Sequence, residues 1–477
     1  MNLIIRSIYI LLLLLLTYSC ASYYELNYEF NRSFENGNLQ QADEVLADNK
    51  KAKKGKNRLL YYMNRGVANS LLGDYNESNR LLEKAYIIAE DLQTNYLQEA
   101  FSYLSNPGFV TYKGEDHEIL FIHYYKALNF MKLNDFDDAL VEVRRMDIKI
   151  RELQTKYKSD SKYQDDAFIH LLMGLVYDAS KDYNNAFIAY RNSYNVYKDY
   201  YKENFNLDAP EQLKFDLLRT AYLTGFYDEV AYYEKEFDKK YDHVPGDGTE
   251  VLLFWNNGLG PVKSQWSINF AAVKGAGGAI VFENAEYGYS FPFIWGDHRD
   301  QNENVGFDDI SVTRVAFPKY VERPPLFNDA TVNFKGSEYP LELAENVNGV
   351  AFKVLQQRFL LEMGKSLIRV AIKKAAEKKL RDENEALGTV LSLVNAASEK
   401  ADTRNWQTIP HSIYYTRVPM EVEGKDQKKL YLKLNSAKGK QYNQVNEINI
   451  EVKQGETAVH TFHSLEISPD YNGISRF

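Results

Sequence analysis

Leu72-Gly73-Asp74-Tyr75-Asn76-Glu77-Ser78 decides how this chain is read. A glycine, a polar residue and an aromatic lie between two apolar stretches of helical period, and a small residue follows three positions later. The phrase recurs as Asn36-Gly37-Asn38-Leu39-Gln40-Gln41-Ala42, Asn134-Asp135-Phe136-Asp137-Asp138-Ala139 and Lys181-Asp182-Tyr183-Asn184-Asn185-Ala186. A weaker fifth instance is Gly225-Phe226-Tyr227-Asp228-Glu229-Val230. Each predicts a tight turn between two helices. Gly or Asn accommodates the left-handed conformation that ends the first helix. The aromatic packs back on that helix, and the small residue lets the pair approach.

This pattern resembles the tetratricopeptide repeat, in which two antiparallel helices meet at a short turn. Gly66 and Gly174 stand where the close contact within a pair needs a small residue, Ala127 fills that place in the third unit, and Ala85 matches a later small position. The turns are 36, 61, 47 and 44 residues apart, so longer helices or insertions separate the units. Tyr103–Tyr112 is the clearest insertion. Residues 20–245 are therefore expected to form an α-helical tetratricopeptide-like solenoid; a non-repeating helical bundle is the alternative. Such an array leaves a concave groove, and the resemblance implies a peptide or protein partner there. The chain has 37 tyrosines. The pairs Tyr61-Tyr62, Tyr124-Tyr125, Tyr200-Tyr201 and Tyr232-Tyr233 line the groove or, as preferred, fill the seams between helices.

Helical periodicity stops at Val244-Pro245-Gly246-Asp247-Gly248. Val251-Leu252-Leu253-Phe254-Trp255 reads as a buried central strand, and Gln265–Phe270 alternates as a half-buried one. Further strands are expected at 277–281, 310–316, 331–334, 413–415, 430–434, 448–452 and 459–462. A helical segment is expected from about Leu343 to Lys400, broken near Gly364 and Gly388, with an apolar stripe of Ile368, Ala371, Ile372 and Ala375. Lys365, Arg369, Lys373, Lys374, Lys378 and Lys379 cover much of the rest. A basic amphipathic helix can lie on an anionic membrane, but between strands of one domain the preferred reading is a core-packed helix. Residues 246–477 are thus expected to form an α+β domain with a mixed or antiparallel sheet.

Asn257-Gly258-Leu259-Gly260-Pro261-Val262-Lys263, Phe317-Pro318-Lys319-Tyr320, the basic helix through Arg369 and Lys373, and Ala401-Asp402-Thr403-Arg404-Asn405-Trp406-Gln407-Thr408-Ile409-Pro410 form a set. Together they resemble a bacterial family of tetratricopeptide-containing lipoproteins with no assigned biochemical activity. The resemblance implies the two-part architecture and lipidation, and no catalytic residues.

Gly275-Ala276-Gly277-Gly278 lacks phosphate-loop spacing. His460 and His463 would face opposite sides of a strand, which disfavours a shared metal. No nucleophile elbow or zinc-protease pair occurs. No cofactor, metal or enzymatic activity is expected. Asp402, Arg404 and Trp406 could share a face of an extended segment and grip a polar ligand. The preferred reading is a charge pair with the indole anchoring the loop. Asn257 and Lys263 are further candidate partner contacts.

Cys20 is the single cysteine. It follows Arg6, the apolar run Ile8–Leu16 and Thr17-Tyr18-Ser19, which is the layout of a secretory signal ending at a lipobox. The run is about half the ~20 residues of a membrane span, and Tyr18 fits an ordinary cleavage site poorly. Residues 1–19 are read as a lipoprotein signal and Cys20 as the lipidated residue. Ala21 after it gives no inner-membrane retention signal, so the expected location is the outer membrane, facing the periplasm. The 477 residues are 45% hydrophobic and 26% charged, with net charge −9. That balance disfavours nucleic acid as partner. The function expected is a lipid-anchored envelope scaffold or adaptor for proteins. The alternatives are an activator of a peptidoglycan-synthesis enzyme and, weakest, an envelope hydrolase.

Overall fold

The computed structural model describes residues 23–93, 110–156, 166–246, 248–274, 280–286, 288–293, 312–389 and 400–469. Cys20 with its signal, Gly275–Gly278 and most of the 103–112 insertion lie outside the described residues.

Among the described residues the first half is five helix pairs, with short helical segments at Tyr23–Leu26 before them and at Lys50–Lys54, Tyr197–Tyr201 and Lys202–Phe205 between them. Helices α1 (Tyr28–Glu35) and α2 (Leu39–Ala47) pair first. Helix α3 (Lys50–Lys54) leads into the pair α4 (Arg58–Leu72) and α5 (Tyr75–Gln93). Then come α6 (Asp116–Lys132) with α7 (Phe136–Lys156), α8 (Ala167–Ala179) with α9 (Tyr183–Val196), and α10 (Glu211–Thr224) with α11 (Tyr227–Phe237). All five turns carry one residue of positive φ: Gly37, Gly73, Asn134, Lys181 and Gly225. Lys181 lacks the freedom of glycine, and its ammonium reaches the carbonyl of Gly248 at 3.0 Å.

The small residues sit where the pairs close. Ala42, Ser78, Ala139 and Ala186 are fully buried. A Cβ on Gly66 would meet Leu82 at 2.5 Å, and one on Gly174 would meet the Tyr190 ring at 2.4 Å. Gly174→Ala is therefore expected to cost about 1–3 kcal/mol through overpacking. Gly364→Ala, on a helix with nothing within 4 Å of the added carbon, is expected to stabilise by about 0.5–1 kcal/mol. Chemical denaturation of both variants checks the pair.

The second half begins at strand β1 (Glu250–Asn257). The strands β2 (Val262–Lys274), β3 (Ile280–Asn284), β4 (Tyr289–Phe293) and β5 (Val312–Val321) form an antiparallel sheet in the order β4-β3-β2-β5. Strands β6 (Asp329–Phe334), β7 (Ser337–Glu345), β8 (Ser412–Pro419), β9 (Lys425–Asn435), β10 (Gln444–Lys453) and β11 (Thr457–Ser464) join β1 in a seven-stranded sheet. Its order is β10-β9-β6-β7-β8-β1-β11, and only β1 and β11 run parallel. The two edge strands follow one another in the chain across Gln454–Glu456. The sheet must therefore curl until its edges approach, and the curl encloses a core from β1, β6, β8, β9 and β10. The fold is a tetratricopeptide-like helical solenoid followed by an α+β domain.

Four expectations about the helical segment are corrected. Leu343–Glu345 do not open the helix. They end β7, paired with β8, and Asn346 caps helix α12 (Val347–Glu383) by accepting the Gly349 N–H. The helix runs unbroken through Gly364, because a lone glycine costs only about 1 kcal/mol while the helix buries Met363, Leu367, Val370 and Ala371 on the four-stranded sheet. That stripe is shifted from the expected one: Ala371 is shared, but Ile368 and Ile372 are only half-buried. The helix ends at Asn384, ahead of Gly388, and residues 390–399 lie outside the described residues. Arg369, expected on the solvated basic face, is buried.

Candidate functional site: the seam between the repeats and the α+β domain

Alternation along β1 sends its side chains two ways. Val251, Leu253 and Trp255 face the core inside the curled sheet. Leu252 and Phe254 join a core that runs through the helix pairs, together with Ala344, Val347, Trp406, Ile409, Ile413 and Tyr415. The array, expected to leave a concave groove, instead carries the chain's own second domain on the first helices of its middle pairs. Fifteen of the seventeen residues of α6 are buried, as are ten of the thirteen of α8.

Polar clamps fix each repeat to that domain. Arg323 is fully buried; it binds Glu35 of α1 at 2.7 Å and the carbonyls of Gly260 and Gln407. At the middle pairs, the two sharpest sequence motifs lie side by side. The Lys263 N–H donates to Asn405 Oδ1 at 3.1 Å, the Asn405 amide to the Pro261 carbonyl at 2.7 Å, and the Gly260 N–H to the Ile409 carbonyl. A Cβ on Gly260 would sit 2.7 Å from Ile409, so this contact requires glycine. Lys263 Nζ pairs with Glu115, as does Arg358 at 2.9 Å. Glu118 accepts the Trp406 N–H and the Tyr112 hydroxyl, each at 2.6 Å.

The third clamp joins the last two pairs. Arg417 of β8 reaches Asp178 at 2.7 Å, Asp216 at 2.9 Å and Glu250. Tyr190 donates to Asp178 at 2.9 Å, and Arg219 pairs with the same carboxylate. Of the tyrosines, Tyr124 donates to Asn256 at 2.7 Å and Tyr201 to Glu345 at 3.0 Å, each across the seam. Tyr61 and Tyr233 are buried among the helices and Tyr232 is exposed.

The structure brings four of the five candidate contacts to the middle clamp. Arg404 holds Asp402 at 2.7 Å, the Val110 carbonyl at 2.8 Å and Asn57 at 3.2 Å, and lies over the Tyr112 ring. The Trp406 ring is fully buried against Tyr125, with its N–H on Thr408. Asn257 lies apart, bonded to the Phe327 carbonyl and Ser464 inside the α+β domain. Missed from the sequence were Arg323, Arg417, Asp178, Asp216, Glu115 and Glu118. The available signal was the lone charges in helices with little polar face, such as Asp178 in Ala167–Ala179.

Burial sets the electrostatics. It opposes the charge of Glu115, but Lys263 and Arg358 outweigh it and hold that carboxyl down to about 2. Burial, aided by the Glu115 charge, pushes Glu118 up to about 7. Burial likewise raises Asp216 to about 6, against the pull of Arg417 and Arg219. It lowers His117 to about 4. A raised carboxyl contributes stability that is fully present below its unfolded value near 4 and lost as pH rises through its folded value. A lowered histidine adds stability between its two values. Asp216 and Glu118 thus lose stability as His117 gains it up to about 6.5; of these three Glu118 changes most above that, and the buried Glu345, whose carboxyl burial also raises, acts in the same direction. Stability is expected to fall further from about pH 6.5 to 8, and Glu118→Gln to flatten that slope while lowering stability throughout. Denaturation midpoints across pH check this.

The seam and its two partners define a helical-repeat protein whose inner face is occupied by its own C-terminal domain. No family model matches the chain, and no curated protein sequence matches it. Solved structures do. Over 45% of its length the chain is similar to the apo form of RapI, at 14% identity and TM-score 0.33, covering 52% of RapI. MamA matches 43% of the chain at 15% identity and TM-score 0.28, with 91% of MamA covered. A kinesin light chain of Podosopora anserina with nearly identical TPR-like repeats matches 44%, at 15% identity and TM-score 0.30, with 91% covered. The chain thus spans about half the length of RapI.

Proposed function

We propose that this chain is a non-enzymatic scaffold of the bacterial cell envelope, lipid-anchored through Cys20 at the periplasmic face of the outer membrane, that binds a protein partner through its helical repeats. The observation that carries the reading is the division of the array into two faces. The inner face is sealed by buried clamps. Among the described residues, exposed large apolar residues stand on the second helices of four pairs, at Ile87 on α5, Val141 and Ile148 on α7, Ile188 on α9 and Tyr232 on α11. Those on first helices are confined to α1 (Tyr28), the end of α4 (Leu72) and α10 (Phe215, Leu223), with none on α6 or α8. Ile87 and Ile148 are each more than half exposed. Partner binding therefore belongs to this outer face rather than to the groove. Lipidation would raise the local concentration of the scaffold at the membrane.

Photo-crosslinking residues at Ile148 and Ile188, with one at Tyr125 as the sealed-face control, test the reading in cells. Protein crosslinks from the outer positions that weaken in Cys20→Ala support it. Silence at the outer positions, or capture from Tyr125 alone, defeats it.

A further inference from the structure

Helix α3 and its surroundings carry a concentrated positive charge. Lys50, Lys51, Lys53, Lys54 and Lys56 fall within seven residues, and Arg58 follows; Asp48 is the single acid between 48 and 58. Lys50, Lys51, Lys53 and Lys54 are exposed, and none has an ion-pair partner among the described residues. Elsewhere exposed lysines are commonly paired, as Lys198 is with Glu236 and Lys429 with Glu447. In a chain of net charge −9, such a patch calls for an anionic surface.

Its position tells which. Asn57, just beyond the lysines, accepts from Arg404 at 3.2 Å. The neighbouring residue Thr403 accepts the Tyr23 N–H at 3.5 Å. Tyr23 is buried there, so the chain entering from the N-terminus is pinned beside the patch. Two residues separate Tyr23 from Cys20, so the cysteine lies within about 11 Å of Tyr23 along the chain. The lysine helix and the first described turn of the chain therefore both adjoin the Thr403-Arg404 segment.

We infer that Lys50, Lys51, Lys53 and Lys54 form a docking surface for anionic phospholipid headgroups, which sets the body of the protein against the bilayer beside its anchor. Beside a lipid anchor, a polybasic patch adds an electrostatic hold on an anionic bilayer and fixes how the body lies against it. The geometry also replaces the earlier membrane candidate, since Arg369 of α12 is buried while these lysines are not.

The inference rests on the lipid-anchor reading for its orientation, and its test is made without lipid. The chain from Ala21 onward keeps every described residue. It is mixed with neutral phosphatidylcholine vesicles and with vesicles holding roughly 30 mol% phosphatidylglycerol. Binding to the anionic vesicles alone is expected, lost between about 0.05 and 0.5 M salt. Replacing the four lysines by glutamine should weaken it by up to roughly a thousandfold, with an unchanged melting curve. Equal binding by the variant, equal binding to neutral vesicles, or no binding by the parent chain would overturn the inference. Mass spectrometry of the N-terminal peptide from cells tests the anchor separately: an unmodified Cys20 sinks the anchor reading and leaves the vesicle result standing.

Discussion

Arg417→Met is expected to cost about 3–5 kcal/mol and to loosen the α+β domain from the last two helix pairs. The guanidinium is buried and serves Asp178, Asp216 and Glu250 at once. Methionine keeps much of the volume and supplies no charge. Arg219 still neutralises Asp178, but Asp216 and Glu250 lose their main cation in an interior that penalises bare carboxylates. Asp216 Oδ2 already lacks a hydrogen-bond partner. The expected record is a lower denaturation midpoint and faster amide exchange in α8 and α10. Adding Asp216→Asn to Arg417→Met should recover part of the loss, because the neutral side chain no longer needs the cation. A cost below about 1 kcal/mol for Arg417→Met would mean that packing, not the ion cluster, closes the seam.

The repeats were legible because each turn combines several local signals. A left-handed residue, a helix-opening side chain and a small residue three positions later are all encoded within seven residues. Even Lys181 obeyed the pattern, taking a positive φ without being glycine. The strand β1 was equally plain from its unbroken apolar run. The seam was harder to read. Its contacts join residues far apart in the chain, such as Glu118 with Trp406 and Asp178 with Arg417. No local spacing encodes such pairs. A trace did exist: Ala167–Ala179 has almost no polar residue to face an open groove, and a helix apolar all round is buried all round. The groove could have been read as filled from that stretch. The start of α12 was misplaced for a related reason. Leu343–Glu345 has no strong propensity of its own, and pairing with β8 makes it a strand.

Trp406→Ala is the second large effect, and it decides what the motif Ala401–Pro410 is for. The indole is fully buried, and its removal is expected to cost about 3–5 kcal/mol. The loss is more than volume. The ring N–H donates to Thr408, whose hydroxyl donates in turn to Asn64 of α4. Trp406→Phe keeps the apolar ring against Tyr125 and should cost less than half as much as the alanine variant. Arg404→Ala discriminates between a structural clasp and a recognition surface. Its guanidinium ties Asp402 to Asn57 and the Val110 carbonyl. For a clasp, Arg404→Ala lowers the melting temperature in step with any loss of partner capture. For a recognition surface, capture falls while the melting temperature holds. The buried Trp406 ring and the inward contacts of Arg404 favour the clasp, so melting temperature and capture are expected to fall together. The repeats and the α+β domain would then behave as one cooperative body, because the same segment closes both.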